Sequence, residues 1–126
     1  MSKLSADAIR LLSEGKNLAI IATIIPDGSP QATAVWVDTD GEHVRFNSAE
    51  SRVKMRNLRR DPRVAVSILN AENPYEQVTI RGRVVAFEYE GAVEHINSLS
   101  KKYVGTDEFE GLDPNDQRVI VKIAPY

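Results

Sequence analysis

The chain has 126 residues, of which 42% are hydrophobic and 27% charged, with a net charge of −2 and a pI near 5.7. This length and composition predict one globular domain, residues 1–126, and the acidic pI argues against a general nucleic-acid binder. Cysteine is absent, which excludes disulfides and thiolate chemistry. No apolar run is long enough for a membrane span. We therefore expect a soluble, cytoplasmic protein without nucleic-acid or membrane partners.

One short helix and three strands are predicted in the first third of the chain. Residues Ser5 to Gly15 have an apolar helical face, and the serine can cap the helix. The β-branched stretch Leu18–Ile25 predicts a buried strand, a Pro-Asp-Gly-Ser-Pro turn follows, and Gln31–Val37 predicts a second strand. A third strand is expected over His43–Asn47, where polar and apolar residues alternate. The short turns between these strands predict an antiparallel meander.

Two helices and three further strands are predicted in the remaining sequence. In chain order they are a helix from Ser51 to Arg60 that ends before Pro62, a strand Arg63–Leu69, a polar loop Asn70–Tyr75, a long strand Gln77–Tyr89, a helix from Ala92 that stops at Gly105, and a strand Arg118–Ala124. Gly82, within the long strand, predicts a bulge or bend. Six antiparallel strands with such a bend favour a small closed or nearly closed barrel, mainly β with helices.

A dense run of positive charge connects the third and fourth predicted strands. Six basic side chains fall within twelve residues, and they are Arg52, Lys54, Arg56, Arg59, Arg60 and Arg63. The helix expected there could be capped by Ser48 or Ser51, and its unpaired N–H groups and dipole would add to the positive charge. The start of this helix is therefore a candidate phosphate-binding site.

The same charge run has a second interpretation, a solvated surface helix, and spacing alone does not decide between the two. Arg52 and Lys54 lie in the first turn, where positive side chains oppose the helix dipole, and a bound anion would reverse that cost. Our hypothesis is that these two residues bind the anion. The later arginines would have structural or solubilising roles, and they are Arg59, Arg60 and Arg63.

Few residues offer acid–base, nucleophilic or metal chemistry. His43 and His95 are the only histidines, and neither has a second ligand at metal-binding spacing. No nucleophile-elbow, Gly-x-Gly-x-x-Gly or Walker motif is present, so in an enzyme a cofactor should supply the reactive atom. Trp36 either packs in the core or lines a flat ligand. Gln31 and Thr33 either face solvent or contact a heterocycle.

Taken in order, these segments resemble the pyridoxamine 5'-phosphate oxidase-like FMN-binding split β-barrel family. They are most similar to its small F420-dependent members, which use a deazaflavin cofactor. The phrase VRFNSAESRVKMRNLRRDPRVAVSIL carries most of the resemblance, with support from LAIIATIIPDGSPQATAVWV, NPYEQVTIRGRV, LSKKYVGTDEFEG and RVIVKIAP. The resemblance extends from about Leu18 to Pro125.

The resemblance implies a homodimer of six-stranded antiparallel split barrels, with two cofactor sites at the subunit interface. It implies that the basic helix and the end of the preceding strand hold the cofactor phosphate, through Arg52, Lys54, Asn47 and Ser48. It also implies that the second strand flanks the flavin-like ring, through Gln31, Thr33 and Trp36. An aromatic residue in the loop before the long strand, here Tyr75, would come from the partner subunit.

The function implied is that of an F420-dependent oxidoreductase, a flavoprotein-like enzyme that transfers hydride between the deazaflavin and a small organic substrate. FMN shares a ribityl-phosphate-like portion with F420, so an FMN-dependent enzyme of the same fold is the first alternative. A non-catalytic flavin or F420 carrier is the second, and a polyanion binder is the third. The chain ends directly after its last predicted strand, so oxidation of pyridoxamine phosphate itself is not expected. The sequence offers no convincing catalytic acid.

Overall fold

An antiparallel sheet of seven strands forms the frame of the molecule, which a computed structural model describes over residues 3–126. The strands are β1 (Ala19–Ile24), β2 (Pro30–Val35), β3 (Val37–Thr39), β4 (Val44–Ala49), β5 (Arg63–Asn70), β6 (Asn73–Glu88) and β7 (Arg118–Pro125). The helices are α1 (Ala6–Ser13), α2 (Val53–Arg60) and α3 (Ala92–Val104). Across the sheet the hydrogen-bonded order is β2-β1-β5-β6-β7-β4-β3. This curled sheet with helices confirms the predicted mainly β split-barrel class.

The predicted second strand is in fact two strands, separated at Trp36. β2 ends at Val35 and pairs with β1 at one edge of the sheet, whereas β3 begins at Val37 and pairs with β4 at the other edge. The strand count over residues 3–126 is therefore seven where six were predicted, and the three-strand meander is wrong beyond its first hairpin. Alternating side chains reveal a strand but not its pairing partner, so the sequence pattern concealed this crossing.

β7 joins the two halves of the sheet. It pairs with β6 on one side and with β4 on the other, although β4 and β6 are not neighbours in sequence. Gly82 of β6 lies opposite Pro125, and a Cβ atom at this glycine would stand 2.2 Å from the carbonyl oxygen of Ala124. The register shift of β6 falls between Val84 and Ala86, so of the bulge or bend predicted at Gly82 the bulge is wrong. The glycine instead permits close backbone approach.

Three helix ends follow the sequence signals at Ser5, Pro62 and Gly105. Ser5 Oγ accepts a hydrogen bond of 3.1 Å from the backbone N–H of Ala8, which caps α1. α2 ends at Arg60, before Pro62, and α3 ends at Gly105, whose φ of +82° suits a glycine. These three boundaries confirm the corresponding predictions. No helix within residues 3–126 is both long and apolar enough to span a membrane.

The apolar side chains form two clusters. The main core lies inside the curled sheet and includes Leu11, Leu12, Ile21, Phe46, Met55, Leu58, Val66, Ile68 and Ile123. A smaller cluster lies between α3 and the sheet, where Ile96, Leu99 and Tyr103 pack with Trp36 and Phe109. The strand break at Trp36 therefore lies beside the second cluster, and the start of α2 is anchored to the first through Met55 and Leu58.

Replacing Gly82 with alanine should lower the free energy of unfolding by about 1–3 kcal/mol, the usual cost of overpacking. The backbone at Gly82 lies outside the left-handed region, so alanine there would ordinarily be neutral or stabilising, and a loss isolates the contact with the Ala124 carbonyl. Urea unfolding of the variant and the parent protein measures the difference. An unchanged or increased stability would contradict the close approach of β6 and β7.

Candidate functional site

A cavity of about 410 Å³ opens at the N-terminal end of α2, between β2, β4, β7 and α3. Its volume is within the range of small-molecule sites. The structure brings five of the eight predicted site residues to its wall, and they are Trp36, Asn47, Ser48, Arg52 and Lys54. The end of β4 contributes the two buried polar residues of this group, and the start of α2 contributes the two cations.

No side chain within residues 3–126 caps the first turn of α2. Arg52 occupies the N-cap position without a side-chain hydrogen bond, and the first turn has no acidic residue. The predicted cap by Ser48 or Ser51 is wrong, because Ser48 Oγ donates to the Ala49 carbonyl and Ser51 Oγ donates to Asp116. The helix therefore presents the positive end of its dipole at the cavity without an acidic residue in its own first turn.

Three cations converge on this cavity: Arg52, Lys54 and Arg118. Among residues 3–126, none of the three forms a salt bridge with a carboxylate. Burial lowers the pKa of Lys54, and the charges of Arg52 and Arg118 lower it further. Burial also lowers the pKa of Arg118, again with a contribution from Arg52. Lys54 and Arg118 are half-buried and Arg52 is exposed, and the nearby charge of Asp116 raises the pKa of Arg118 without forming a salt bridge. A cluster of like charge without salt-bridge partners is suited to binding an anion.

The other arginines of the basic run have partners within the chain. Arg59 donates to Glu50 and to the Tyr89 hydroxyl, Arg60 donates to the Ile24 carbonyl and to Asn57, and Arg63 pairs with Asp61. The hydrogen bonds from Arg63 lower the pKa of the Asp61 carboxyl to about 2. The charge run thus divides into an N-terminal part, Arg52 and Lys54, that lines the cavity without salt bridges, and a C-terminal part whose side chains bond elsewhere in the chain.

Arg118 is a site residue that sequence reasoning missed. It begins β7, and its Nε donates a hydrogen bond of 2.8 Å to Asn47 Oδ1. Its guanidinium carbon lies 5.2 Å from the centre of the Phe109 ring, which also lines the cavity. Only the sheet pairing brings it to Lys54, because the two are far apart in sequence. The available signal was a charged residue at the start of a mostly apolar strand.

Trp36 belongs both to an aromatic cluster and to the cavity wall. Its ring stacks on Tyr103 with centroids 5.5 Å apart and an angle of 5°, and it meets Phe109 edge-on at 5.8 Å. Its half-buried indole also lines the cavity. The two interpretations of Trp36, core packing and contact with a flat ligand, are therefore compatible.

The remaining predicted site residues lie away from this cavity. Gln31 and Thr33 are on the face of β2 opposite to Ala34, which lines the cavity. Gln31 accepts a hydrogen bond of 3.3 Å from Asn57 Nδ2. Thr33 Oγ1 is buried without a hydrogen-bond partner among residues 3–126. Tyr75 lies on β6, not in the predicted loop, because the turn is shorter than expected, and it is 97% exposed. Its predicted place in a partner's site stays a prediction.

Comparison with known proteins assigns the chain to a family. The profile of the family described as Pyridoxamine 5'-phosphate oxidase matches residues 5–125. An F420 reductase is similar at 33% identity and a TM-score of 0.79, over 93% of this chain and 92% of that one. A conserved hypothetical protein from Mycobacterium tuberculosis is 28% identical, with a TM-score of 0.69 over 99% and 81% of the two chains. A Listeria innocua protein named after pyridoxamine 5'-phosphate oxidase is 26% identical, with a TM-score of 0.68 over 91% and 87%.

Replacing Lys54 with methionine should stabilise the ligand-free protein and weaken its binding of FMN or F420 by about 1–3 kcal/mol, the scale of a charge-assisted hydrogen bond. The destabilising effect of the charged amine is fully present below the lowered pKa of Lys54 and is lost as pH rises from that pKa to the ordinary pKa of lysine. The stability gap between variant and parent should therefore close at alkaline pH. Urea unfolding at neutral and alkaline pH, with calorimetric titration of the ligand, measures both effects.

The matched control is Arg63→Met, which removes an exposed, paired cation outside the cavity. This change should leave ligand affinity unaltered and should not stabilise the protein. Equal loss of affinity in both variants would show that general positive charge, and not the cavity, attracts the ligand.

Proposed function

This chain belongs to the pyridoxamine 5'-phosphate oxidase family, and on that premise we propose that it is an F420-dependent oxidoreductase acting on a small, electron-poor organic substrate. The family match and the similarity to an F420 reductase support the broader class, an oxidoreductase that uses a flavin or a deazaflavin. F420 is favoured over FMN because that reductase is 33% identical over nearly the full length of both chains.

The observation that carries the proposal is the group of three cations without salt bridges beside an aromatic wall. Arg52, Lys54 and Arg118 would hold the cofactor phosphate, with the first-turn N–H groups of α2 adding to their field. Two polar residues near the end of β4, Asn47 and Ser48, would complete this part of the pocket. The donor set fits a phosphate dianion, since every charged group on the wall is positive.

The rest of the cavity suits a flat ring. Trp36, held by its stack on Tyr103, forms one wall, and Phe109 and the aliphatic side chains of Leu18 and Ile96 form others. When bound, reduced F420 would supply the hydride, and the chain would bind and orient the cofactor. No carboxylate or imidazole among residues 3–126 lines this cavity, so we propose that the proton needed by the reduced product comes from solvent.

Binding and turnover together test this proposal. Purified, cofactor-free protein should bind F420 more tightly than FMN in calorimetric titrations, and Lys54→Met should weaken F420 binding. Reduced F420 should then be oxidised in the presence of some members of a panel of electron-poor acceptors. Tighter FMN binding would move the protein to the FMN-dependent class. Tight F420 binding without turnover across the panel would indicate a carrier.

We also propose that a second copy of the chain covers the outer face of β1 and β2. This face is apolar and open: Leu18 and Ile20 are 48% and 43% exposed, and Ala34 lies beside Ile20 on the paired strand. Leu18 and Ala34 also line the cation-rich cavity, so the cavity opens towards the same face. A partner seated here would bury the apolar surface and close the cavity from the side.

Replacing Ile20 with glutamate should convert a dimer into a monomer, because a charge would be buried without a partner at the interface. Light scattering after size exclusion should give about twice 14.0 kDa for the parent chain and about 14.0 kDa for the variant. Val93→Glu is the control, since Val93 is 44% exposed on α3, and it should leave the mass unchanged. A monomeric parent protein would refute the proposed interface.

A further inference from the structure

A chain of polar contacts, buried at Asn47 and His95 and half-buried elsewhere, runs from the cavity into the space between α3 and the sheet. Arg118 Nε donates to Asn47 Oδ1 at 2.8 Å, and Asn47 Nδ2 lies 3.1 Å from Nδ1 of His95. The other ring nitrogen, Nε2, is 3.1 Å from both carboxylate oxygens of Asp38. Arg45 ends the chain with two hydrogen bonds of 2.8 Å to the same carboxylate. β7, β4, α3 and β3 each contribute at least one member.

The orientation of the Asn47 amide determines which nitrogen of His95 carries the proton. Its oxygen accepts from Arg118, and its NH₂ group donates to the Ala92 carbonyl at 2.7 Å. Rotating the Asn47 amide by 180° would place its NH₂ group next to the Arg118 guanidinium and its oxygen next to the Ala92 carbonyl. Both hydrogen bonds would then be lost. The NH₂ group therefore also faces Nδ1 of His95, which must accept. The proton then resides on Nε2 and is donated to Asp38.

Asp38 supports this arrangement from the far side of the imidazole. Burial by itself would raise the pKa of Asp38, but the hydrogen bonds from His95 and Arg45 outweigh it and hold the pKa below its ordinary value. The carboxylate is thus ionised and is a strong acceptor for the Nε2–H group. It favours the tautomer that leaves Nδ1 free to accept from Asn47.

We infer that His95 is a positioning residue, which through Asn47 holds Arg118 in the geometry that binds an anion. Arg118 has no carboxylate partner among residues 3–126, so the bond to Asn47 and the contact with the Phe109 ring are what fix its guanidinium. An arginine that is already held loses less side-chain freedom when the anion arrives. The inference rests on the proposed function to the extent that the anion is the cofactor phosphate.

A double-mutant cycle tests whether His95 acts through Arg118. His95→Leu removes the acceptor for Asn47 and should weaken the binding of F420, and of inorganic phosphate, roughly tenfold. In an Arg118→Met background the same replacement should cause no further loss. In a Lys54→Met background it should cause the full loss, because α2 and not this chain of contacts holds Lys54. Equal losses in the two backgrounds would overturn the inference.

Two conservative replacements separate positioning from general packing. Asparagine at position 95 can place an amide oxygen near the site of Nδ1, whereas glutamine extends its amide towards the site of Nε2. His95→Asn should therefore keep affinity within about twofold of the parent protein, and His95→Gln should resemble His95→Leu. The opposite order would show that the contact with Asp38, and not the acceptor for Asn47, supports the site.

The histidine tautomer can be measured in the parent protein without any ligand. Long-range proton–nitrogen correlation spectra should show His95 protonated at Nε2 and not at Nδ1 near neutral pH. The chain has two histidines, so His43→Gln identifies the signals. A proton on Nδ1 would overturn the inference even if the leucine variant failed to fold. If F420 neither bound nor turned over, the proposed function would fail, while the tautomer and the phosphate measurements would still decide this inference.

Discussion

The pairing of β7 with both β6 and β4 is the constraint on which the rest of the structure depends. Without it, the strands β2-β1-β5-β6 and the strands β4-β3 would be two separate sheets. The same pairing sets Arg118 opposite Ala49, which ends β4 shortly before α2 begins. α3 packs on the surface that these strands form together. The candidate site is therefore a product of long-range strand pairing, although its most visible sequence feature is a local run of charge.

Charge pairing distinguishes two kinds of cation in this molecule. Arg59 and Arg63 offset their desolvation with carboxylates, as most charged groups near a protein surface do. Lys54 and Arg118 are partly buried, repel each other and lack such partners among residues 3–126, which makes the ligand-free protein less stable than its fold would allow. This kind of local instability is expected where binding supplies the missing charge.

The sequence revealed local structure more fully than it revealed the site. Caps and breakers such as Ser5, Pro62 and Gly105 act within a few residues, so their effects can be derived from spacing and confirmed directly. The separation of β2 from β3 at Trp36 and the arrival of Arg118 depend on which strands pair, and strand alternation carries no information about partners. For the same reason, the polar residues of β2 seemed equally able to face a ligand, whereas the cavity is lined only by the last residues of the strand, Ala34 and Val35. Strand pairing, and not the basic run of residues 52–63, determines which side chains come together at the cavity.

The strand break at Trp36 has an optical consequence. The chain has a single tryptophan, and its indole lies on the wall of the cationic cavity while stacked on Tyr103. All indole emission from this protein therefore originates at one known place. An anionic quencher such as iodide is drawn to positive charge, whereas a neutral quencher such as acrylamide is not. The ratio of the two quenching constants therefore measures the electric field of the cavity in the unlabelled protein. The dependence of this ratio on ionic strength measures how far solvent ions screen that field.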